Sequence, residues 1–539
     1  MPFPAVRTLL FTLILLPVAT VLGADDIIQV GKGSFTTVRP DACRPLPTTI
    51  HRAKGLDGPV PTTDWWTSLL WTTHSQPLFA HPLALRATPS GLTVTAPGDA
   101  IVATSRAIMG GAADGDLTIS LSDAAPFPEA RWAGSSDWFV DAEFGNDRTW
   151  LRTSFGHGSP FVYARHAGSA PLLRFAAAPD VWAGTMDDAS IGITVRGRHY
   201  GLFGSEGSRW RPDDHGDWRL DTDRDHFSVA LLPDRTPTTF EIFRDAAHRH
   251  VVGTRTEYEI EGNTVVTTFT FEIETLEGPS GGTLFALYPH QWKATAHDMH
   301  GGSYPSIRGE LRLASGRAFT TRVPVQGVLP FLPVVEDADR SMVLDLLDRN
   351  PPGQLGAFKD TYWEGKDLGR LTTLAGIAES LGEHDLRDAY LDEIRGRLEN
   401  WFTASGPEDV ALFHYDERWG TLIGCPPSYG SDDQLNDHHF HAGYFIRAAA
   451  EVGRHDPAWA RAWAPMVDLL VRDIASLERD DPMFPWLRCF DPYAGHAWAS
   501  GHANFGDGNN QESSSESLNA WYGLVLWGEV TGNRRLRDL

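Results

Sequence analysis

The residues best suited to proton transfer stand in the stretch DGNNQESSSESLNAWYGLVLWG, residues 507–528. Glu512 and Glu516 are four residues apart, just ahead of an apolar run, and serines such as those between them are favoured in first turns. A helix is therefore predicted to begin near Gln511, with both glutamates on one face. Two carboxylates one turn apart raise one pKa, which favours a useful proton acceptor. The structural alternative is that Glu512 merely helps to cap the helix, where the dipole favours an acidic residue.

A second stretch, NDHHFHAGYF, sets Asp437 before three histidines. The apolar periodicity begins at about Phe440, which places Asp437 and His441 on one face at a helix N-terminus. Asp437 is predicted to donate a proton, with His441 as its hydrogen-bond partner. Zinc is the rival interpretation, because DHHFH offers oxygen and nitrogen ligands, although the H-E-x-x-H pattern is absent.

The two stretches, separated by about one helical hairpin, can face each other across a groove. Hydrolysis of a glycosidic bond needs such a pair, an acid for the leaving oxygen and a base or nucleophile opposite it. A carboxyl separation of roughly 6.5–9.5 Å admits a water molecule and inverts the anomeric centre, whereas about 5–5.5 Å implies retention. The sequence leaves this separation open.

Aromatic and polar side chains near these stretches are the candidates for sugar binding. Trp419 and Trp498 stand in polar, glycine-containing loops and could stack on sugar rings, whereas Trp521 lies in an apolar helical run that is typical of a core. Trp363 also stands beside the motifs. The further candidates for substrate binding are Tyr415, Asp416, His438, His496 and Asn510.

Composition limits the partners of the chain. Its 539 residues carry 46 basic and 70 acidic side chains, a formal net charge of −24. This balance argues against nucleic acid or an anionic membrane surface and suits a neutral substrate. Three widely spaced cysteines form no metal-binding pattern, but Cys425 and Cys489 could pair in an oxidising compartment.

The N-terminus, MPFPAVRTLLFTLILLPVATVLGADD, has the pattern of a secretory signal peptide, predicted over residues 1–24. A membrane anchor is the alternative, but the apolar run is short for a span. We therefore expect a secreted, extracellular protein that has no contact with a membrane once processed. We also expect it to act as a monomer.

The pattern of apolar, polar and turn-forming residues along the chain predicts a multidomain β + α protein. Short alternating runs cut by Gly, Pro, Asp and Ser indicate an antiparallel β-sandwich over residues 25–298. A small linker domain follows over residues 299–336, with ELRLASGRAFTTRVPVQG as its predicted hairpin. Apolar residues at i, i+3 and i+4 then predict an all-helical domain over residues 337–539.

The two catalytic stretches closely resemble the paired signature segments of glycoside hydrolase family 81, the endo-β-1,3-glucanases. Weaker similarity extends over nearly the whole chain after the leader, in PTTDWWTSLLW, ALYPHQW and YWEGKDLGRLTTLAGIAESLG. The resemblance implies a β-sandwich, a small α/β linker domain and a C-terminal (α/α)6-type barrel. Because the family continues well past the position of Leu539, we expect the barrel to be incomplete and the chain to be a fragment.

The resemblance also implies metal-independent, inverting, endo-acting cleavage of β-1,3-glucan of the laminarin or curdlan type, without a cofactor. By motif, Asp437 matches the general acid, His441 its essential neighbour, Glu512 the general base and Glu516 a second required carboxylate. Glu512 is preferred as the base, although either glutamate could hold the water. A non-catalytic β-glucan-binding protein of the same fold and a metal-dependent hydrolase are the alternatives.

Two departures from the family pattern stand in the motifs. Ala442 replaces a usual tyrosine, and Asn509 replaces a frequent lysine. The first removes a possible stacking or hydroxyl contact, and the second removes a positive charge near the carboxylates. Either change could lower activity or shift the pKa values of the glutamates.

Overall fold

The computed structural model describes residues 26–98, 101–103, 105, 108–110, 114–124, 126–332, 340–356, 359–406 and 409–538. The predicted signal peptide, residues 1–24, lies outside these described residues. None of the helices within them is both long and apolar enough to cross a bilayer.

Strands fill the first part of the chain and helices the last. The strands, numbered β1 to β29 in chain order, are Ile27–Val30, Gly33–Thr36, Leu78–Phe79, Ala84–Thr88, Gly91–Thr95, Ile101–Ala103, Ile108–Gly110, Leu117–Leu121, Ala130–Ser135, Phe139–Gly145, Trp150–Gly156, Phe161–Ala167, Pro171–Phe175, Asp180–Ala183, Ser190–Val195, Arg198–Gly204, Arg209–Pro212, Trp218–Asp221, His226–Leu232, Arg249–Glu261, Thr264–Thr275, Thr283–Leu287, Met299–Tyr304, Leu311–Gly316, Ala318–Pro324, Leu412–Asp416, Thr421–Cys425, Phe490–Asp491 and His496–Ala497. The helices, α1 to α10, are Ser68–Trp71, Pro237–Ala246, Pro289–Trp292, Arg340–Asp348, Thr361–Ser380, His384–Trp401, His438–His455, Pro457–Ala475, Ser514–Thr531 and Arg534–Asp538.

Two large antiparallel sheets form the strand-rich part. One has the order β14-β15-β16-β19-β12-β11-β10-β9 and the other β17-β18-β13-β8-β5-β4-β3. Residues from both sheets share one apolar core, in which Trp66, Trp138 and Trp210 are fully buried. Alternating side chains explain this arrangement, because every second residue of a strand faces the core. The β-rich first part and the helical last part agree with the prediction.

The predicted hairpin in the linker is wrong. Strand β24 pairs with β22 and β23, whereas β25 pairs with β21, so the two neighbouring strands enter different sheets. In both strands apolar and polar residues alternate, as they would in a hairpin. The strand with which each one pairs is set by residues that are distant in the sequence.

The helical part is not all helical. Strands β26 and β27 form a hairpin that joins β1 and β2 in a four-stranded sheet, with a parallel contact at Thr36 and His414. Backbone bonds from Ser34 to Phe402 O (2.8 Å) and from Ala404 to Ser34 O (3.2 Å) fix β2 there. Phe35 accordingly packs in the helical core. Strands β26 and β27 have five residues each and show no helical periodicity. Strands β1 and β2, which complete the sheet, lie nearly 400 residues earlier in the sequence.

A buried contact between a histidine and an aspartate joins the two parts of the chain. His157 Nε2 from the strand-rich part lies 2.9 Å from Asp491 Oδ2, and both side chains are almost fully buried. The indole of Trp498 donates to the same oxygen, and the backbone N–H groups of Tyr493 and Ala494 donate to Oδ1. Burial raises the pKa of Asp491, but His157 and these donors outweigh it and hold the pKa well below its usual range.

The cysteines are free thiols in the described part of the chain. Cys425 lies beside Cys43 rather than Cys489, and the hydrogen bond between these two thiols, together with burial, raises the pKa of Cys43. The structure therefore does not bring Cys425 and Cys489 together as a pair. Burial also raises the pKa of Cys489.

We predict that Asp491→Ala lowers the free energy of unfolding by about 3–5 kcal/mol, because it leaves a buried imidazole and three N–H donors without their acceptor. Urea unfolding of the full chain measures the effect. The exposed neighbour Asp480 provides the control, and Asp480→Ala should change stability by less than about 0.5 kcal/mol. Equal small effects of the two substitutions would contradict the assigned role of Asp491.

Candidate active site

Asp437 is held in an uncommon backbone conformation at the start of α7. Its φ is 62°, in the left-handed region, and its N–H donates to Ala499 O at 2.9 Å. Its carbonyl oxygen accepts the N–H groups of Phe440 and His441 at 2.8 and 3.0 Å. The side chain does not cap the helix. Non-glycine residues keep such strained angles where the surrounding structure enforces them, and they cluster at functional sites.

The carboxyl group of Asp437 is buried, and no described residue offers a hydrogen bond to its Oδ1. Burial, followed by the negative charges of Glu512 and Glu516, raises its pKa to about 8. The group therefore keeps its proton at neutral pH. A carboxylic acid that is protonated at pH 7 can act as a general acid.

His441 does not hydrogen-bond the side chain of Asp437 in the described structure, so that predicted pairing is wrong. Its Nδ1 lies 2.7 Å from Thr361 Oγ1 at the start of α5, and its buried Nε2 has no partner among the described residues. Burial and the nearby His438 and His439 lower its pKa to about 3. His441 is therefore a neutral imidazole that contacts the start of α5.

The other two histidines point to different partners. His438 Nδ1 lies 2.7 Å from Asp473 Oδ2 and its Nε2 lies 2.8 Å from Ser431 O, so both ring nitrogens face acceptors. His439 Nε2 lies 3.2 Å from Ser517 Oγ, and burial lowers its pKa to about 3. In the described chain, the groups of histidines and carboxylates close enough to share a metal ion lie elsewhere. The three histidines of the DHHFH stretch therefore contact separate partners in the described structure.

The predicted start of the last motif's helix is also wrong. Helix α9 begins at Ser514, with the Ser513 side chain accepting from the N–H of Glu516, so Glu512 precedes the helix at a φ of 58°. The two glutamates therefore do not share a helical face. A serine is a better N-cap than glutamine, and the run of three serines left this choice open.

Glu516 is enclosed by donors from two other helices. Its Oε1 accepts hydrogen bonds from Tyr362 Oη (2.9 Å), Lys366 Nζ (3.1 Å) and Tyr444 Oη (2.9 Å). Burial raises the pKa of Glu516, but the bonds from Lys366 and the two tyrosines outweigh it, so the pKa is lowered. Tyr444 can reach this carboxylate because α5 carries Gly365 and Gly369 against its ring, where a Cβ would lie 2.8–3.1 Å from ring atoms.

Glu512 is exposed and lightly held. The Asn510 amide donates to its Oε2 at 3.4 Å. Ala499 connects this loop to the acid, because its N–H donates to Asn510 O at 2.8 Å and its carbonyl accepts the N–H of Asp437. Backbone hydrogen bonds of Ala499 thus join the segment that carries Asp437 to the loop that carries Glu512. The Glu512 side chain is open to solvent or substrate.

Asn509, which departs from the family pattern, organises the same loop. Its Oδ1 accepts the N–H of Ser500 at 3.0 Å, and its amide donates to Ser500 O and to Asp64 O at 2.9 and 3.1 Å. An amide supplies both the acceptor and the donors of this arrangement, whereas an ammonium group has donors only. Asn509 therefore ties the loop to the strand-rich part.

Most of the predicted sugar-binding aromatics lie in the core. Trp419 is fully buried and donates to Pro47 O, and Trp498 is buried with its indole N–H on Asp491. Tyr415 is also buried and donates to Met483 O. Asp416 accepts the N–H of Trp419 within its own turn. Burial leaves these aromatic side chains no free face for a sugar ring.

The remaining predicted residues divide between the site and the domain contact. His438 lies in the first turn of α7, and Asn510 lies beside Glu512. His496 contacts Arg308 at 3.1 Å and packs on Trp498, with ring centroids 4.5 Å apart. His496 therefore belongs to the contact with the strand-rich part.

Two exposed aromatics lie next to Tyr362: Trp363, which stands beside the motifs, and Tyr429, which the sequence pattern does not single out. Tyr429 is 58% exposed and Trp363 is 47% exposed. Their ring centroids lie 5.0 and 5.4 Å from that of Tyr362, which in turn lies 5.5 Å from His441. Tyr429 stands in the polar loop PPSYGSDD, a signal of the same kind that drew attention to Trp419.

Comparison with known proteins adds a consistent result. The family model described as "Glycosyl hydrolase family 81 C-terminal domain" matches residues 348–539. A curated "Glucan endo-1,3-beta-D-glucosidase" of Acetivibrio thermocellus is 41% identical over 498 residues, which cover 91% of this chain and 64% of the relative. One of the same name from Thermobifida fusca is 40% identical over 529 residues, covering 95% and 69%. The chain thus spans about two thirds of the length of these curated relatives.

A solved structure is similar over the same extent. It is a mutant of a glycoside hydrolase family 81 protein from Clostridium thermocellum, with a TM-score of 0.90 and 40% sequence identity. The match covers 95% of this chain and 72% of that one.

We predict that Asp437→Asn stabilises the folded chain at alkaline pH. Because the folded-state pKa is raised from 3.8 to about 8, this carboxyl group favours folding at low pH, and its contribution is lost as the pH rises from about 4 to about 8. Asparagine has no proton to lose, so the free energy of unfolding should rise by about 1–3 kcal/mol at pH 8 and change little below pH 4.

Urea unfolding at the two pH values measures this difference. The same substitution at the exposed Asp480, Asp480→Asn, serves as the control for a general effect of replacing an aspartate. A stability change in Asp437→Asn that is the same at pH 4 and pH 8 would refute the raised pKa.

Proposed function

The chain belongs to glycoside hydrolase family 81, and from this membership and the site geometry we propose that it hydrolyses β-1,3-glucan within the polymer. The names of the relatives at 40–41% identity support the substrate. The observation that carries the reaction is the buried carboxyl group of Asp437, because burial and then the charges of two nearby glutamates raise its pKa to about 8.

We assign Asp437 as the general acid and Glu512 as the general base. Glu512 takes a proton from a water molecule as the water oxygen bonds to the anomeric carbon. The bond from that carbon to the leaving oxygen breaks, and the leaving oxygen takes the proton of Asp437. Attack from the face opposite the leaving group inverts the anomeric centre and yields the α-anomer from a β-glucan.

Glu516 suits a positioning role better than that of the base. Its Oε1 already accepts three hydrogen bonds, and its pKa is lowered, which makes it a weak proton acceptor. The exposed Glu512 has a carboxylate with open acceptor positions. We infer that Glu516 holds Lys366, Tyr362 and Tyr444 in place and adds negative charge that keeps Asp437 protonated.

Exposed aromatic rings support an open, endo-acting groove. Trp363 and Tyr429 lie beside Tyr362, one contact away from both Glu516 and His441. Stacking on a ring suits the apolar faces of a glucose residue and does not require a chain end.

We also infer that the helices form part of an (α/α)6-type barrel. The leader-like residues 1–24 are proposed to direct the protein out of the cell, where it acts as a monomer.

We predict that the first product released is the α-anomer. Proton NMR of the purified chain acting on a linear β-1,3-glucan oligosaccharide measures it before mutarotation. Early β-anomer would contradict the inverting assignment and make one glutamate a nucleophile. Binding of the oligosaccharide without any product would favour the alternative, a β-glucan-binding protein without catalysis.

We predict that the two glutamates differ in chemical rescue. Glu512→Ala should lower kcat by about 10²–10⁴-fold, and azide, which can replace the activated water, should restore turnover and give an α-glycosyl azide. Glu516→Ala should lose activity without rescue, because it disrupts Lys366 and two tyrosines rather than activating water. Glu529→Gln, an exposed change on the same helix α9, is the control and should keep wild-type kcat. Rescue of Glu516→Ala instead would exchange the two roles.

A further inference from the structure

A second group of potential metal ligands lies in the strand-rich part, at the ends of three strands. His226 is the first residue of β19, His248 directly precedes β20, and Glu277 follows shortly after β21. The two imidazoles and the carboxylate place one ligand atom each within 4.8 Å of the others. We propose that His226, His248 and Glu277 bind one Zn²⁺ ion, a site separate from the proposed catalytic residues.

The contacts in this cluster are close to the spacing of a zinc site, with the two imidazoles on different oxygens of Glu277. Zinc binds histidine nitrogen and carboxylate oxygen at about 2.0–2.2 Å, so neighbouring ligand atoms in a tetrahedron lie about 3.3–3.6 Å apart. His226 Nε2 lies 3.1 Å from Glu277 Oε1, and His248 Nε2 lies 3.6 Å from Glu277 Oε2. Two imidazoles and one glutamate are also a known protein ligand set for zinc, with water as the fourth ligand.

Backbone hydrogen bonds hold the carboxylate and one imidazole in position. The N–H of Glu206 donates to both oxygens of Glu277, at 3.0 and 2.9 Å. The N–H of Leu276 donates to His248 O at 2.9 Å, which fixes the segment after β21 against the segment before β20. The backbone thus positions the Glu277 carboxylate and the segment that carries His248.

The second ring nitrogen of His226 has the partner that a metal ligand usually has. Its Nδ1 lies 3.3 Å from Asp225 Oδ1, and Arg165 holds that carboxylate at 2.9 Å. Histidine ligands commonly donate their other N–H to a carboxylate, which orients the ring toward the metal. The side chains of His226, His248 and Glu277 are only 6%, 15% and 18% exposed, so the site is shielded but can be reached.

Nitrogen atoms without a partner surround the cluster. His248 Nδ1 and His250 Nε2 are buried, and no described residue forms a hydrogen bond with either. The ring centroid of His250, a residue that is 3% exposed, lies 5.9 Å from that of His226. The ring centroid of His248 lies 5.6 Å from that of His226. Glu277 thus faces two imidazoles, and a third imidazole, that of His250, packs against His226.

The other candidate group in the described chain, Glu379, Glu451 and His455, is already neutralised by a cation. Arg454 lies 3.1 Å from Glu379 Oε1 and 2.7 Å from Glu451 Oε1, so a metal ion there would have to displace a guanidinium group. No arginine or lysine bridges His226, His248 and Glu277 in the described structure. The group of Glu379, Glu451 and His455 therefore provides a matched control.

Calorimetric titration of ZnCl₂ into the chelator-treated full chain tests the proposal. We expect one zinc per chain, with at least tenfold weaker binding in His248→Gln and in Glu277→Gln and unchanged binding in His455→Gln. Absence of stoichiometric binding, unchanged binding in both ligand variants, or loss only in His455→Gln would overturn it. Circular dichroism shows whether each variant is folded.

X-ray absorption at the zinc edge of the wild-type complex reports the ligands directly. Two imidazole ligands and oxygen donors are expected, and a spectrum without imidazole scattering would overturn the assignment. His215→Gln, an exposed histidine of the same part of the chain, controls for adventitious binding. None of these measurements uses glucan hydrolysis, so the zinc site and the proposed reaction can fail independently.

Discussion

The proposed chemistry depends on the burial of one carboxyl group. Asp437 is held by its backbone, through Ala499 and the first turn of α7, while its side chain lacks a described partner for Oδ1. A charged carboxylate in such a place is costly, and the group avoids that cost by keeping its proton. The same backbone contact sets the acid beside the loop that carries Glu512. Burial and position are therefore produced by one local arrangement.

The two glutamates near Asp437 differ in their properties because their surroundings differ. Glu516 lies among Lys366, Tyr362 and Tyr444 and remains ionised, whereas Glu512 stands before the helix and faces solvent. Two carboxylates of one motif are thus suited to different tasks. The contact between His157 and Asp491 matters here because it anchors the loop before them to the strand-rich part.

Residue types and spacing allowed Asp437, Glu512 and Glu516 to be selected before the fold was known. Residue types and spacing gave a wrong prediction of sugar contact for Trp419, Trp498 and Tyr415, which are buried. A tryptophan in a polar loop can turn inward as readily as outward. Residue types and spacing also failed for the partner of His441, since Thr361 lies 80 residues away in sequence. The pairing of β2 with β26 and the separation of β24 from β25 are long-range choices of the same kind.

The sequence by itself determined the strand-rich first part, the helical last part and the acidic residues of the two motifs, because these follow from side-chain periodicity and local composition. Only the tertiary structure decided the pKa of Asp437, the ion pair of Glu516 and the meeting of His226, His248 and Glu277. Each depends on which distant groups come within a few ångströms and on how far water is excluded. Those two quantities are set by packing, and no local pattern encodes them.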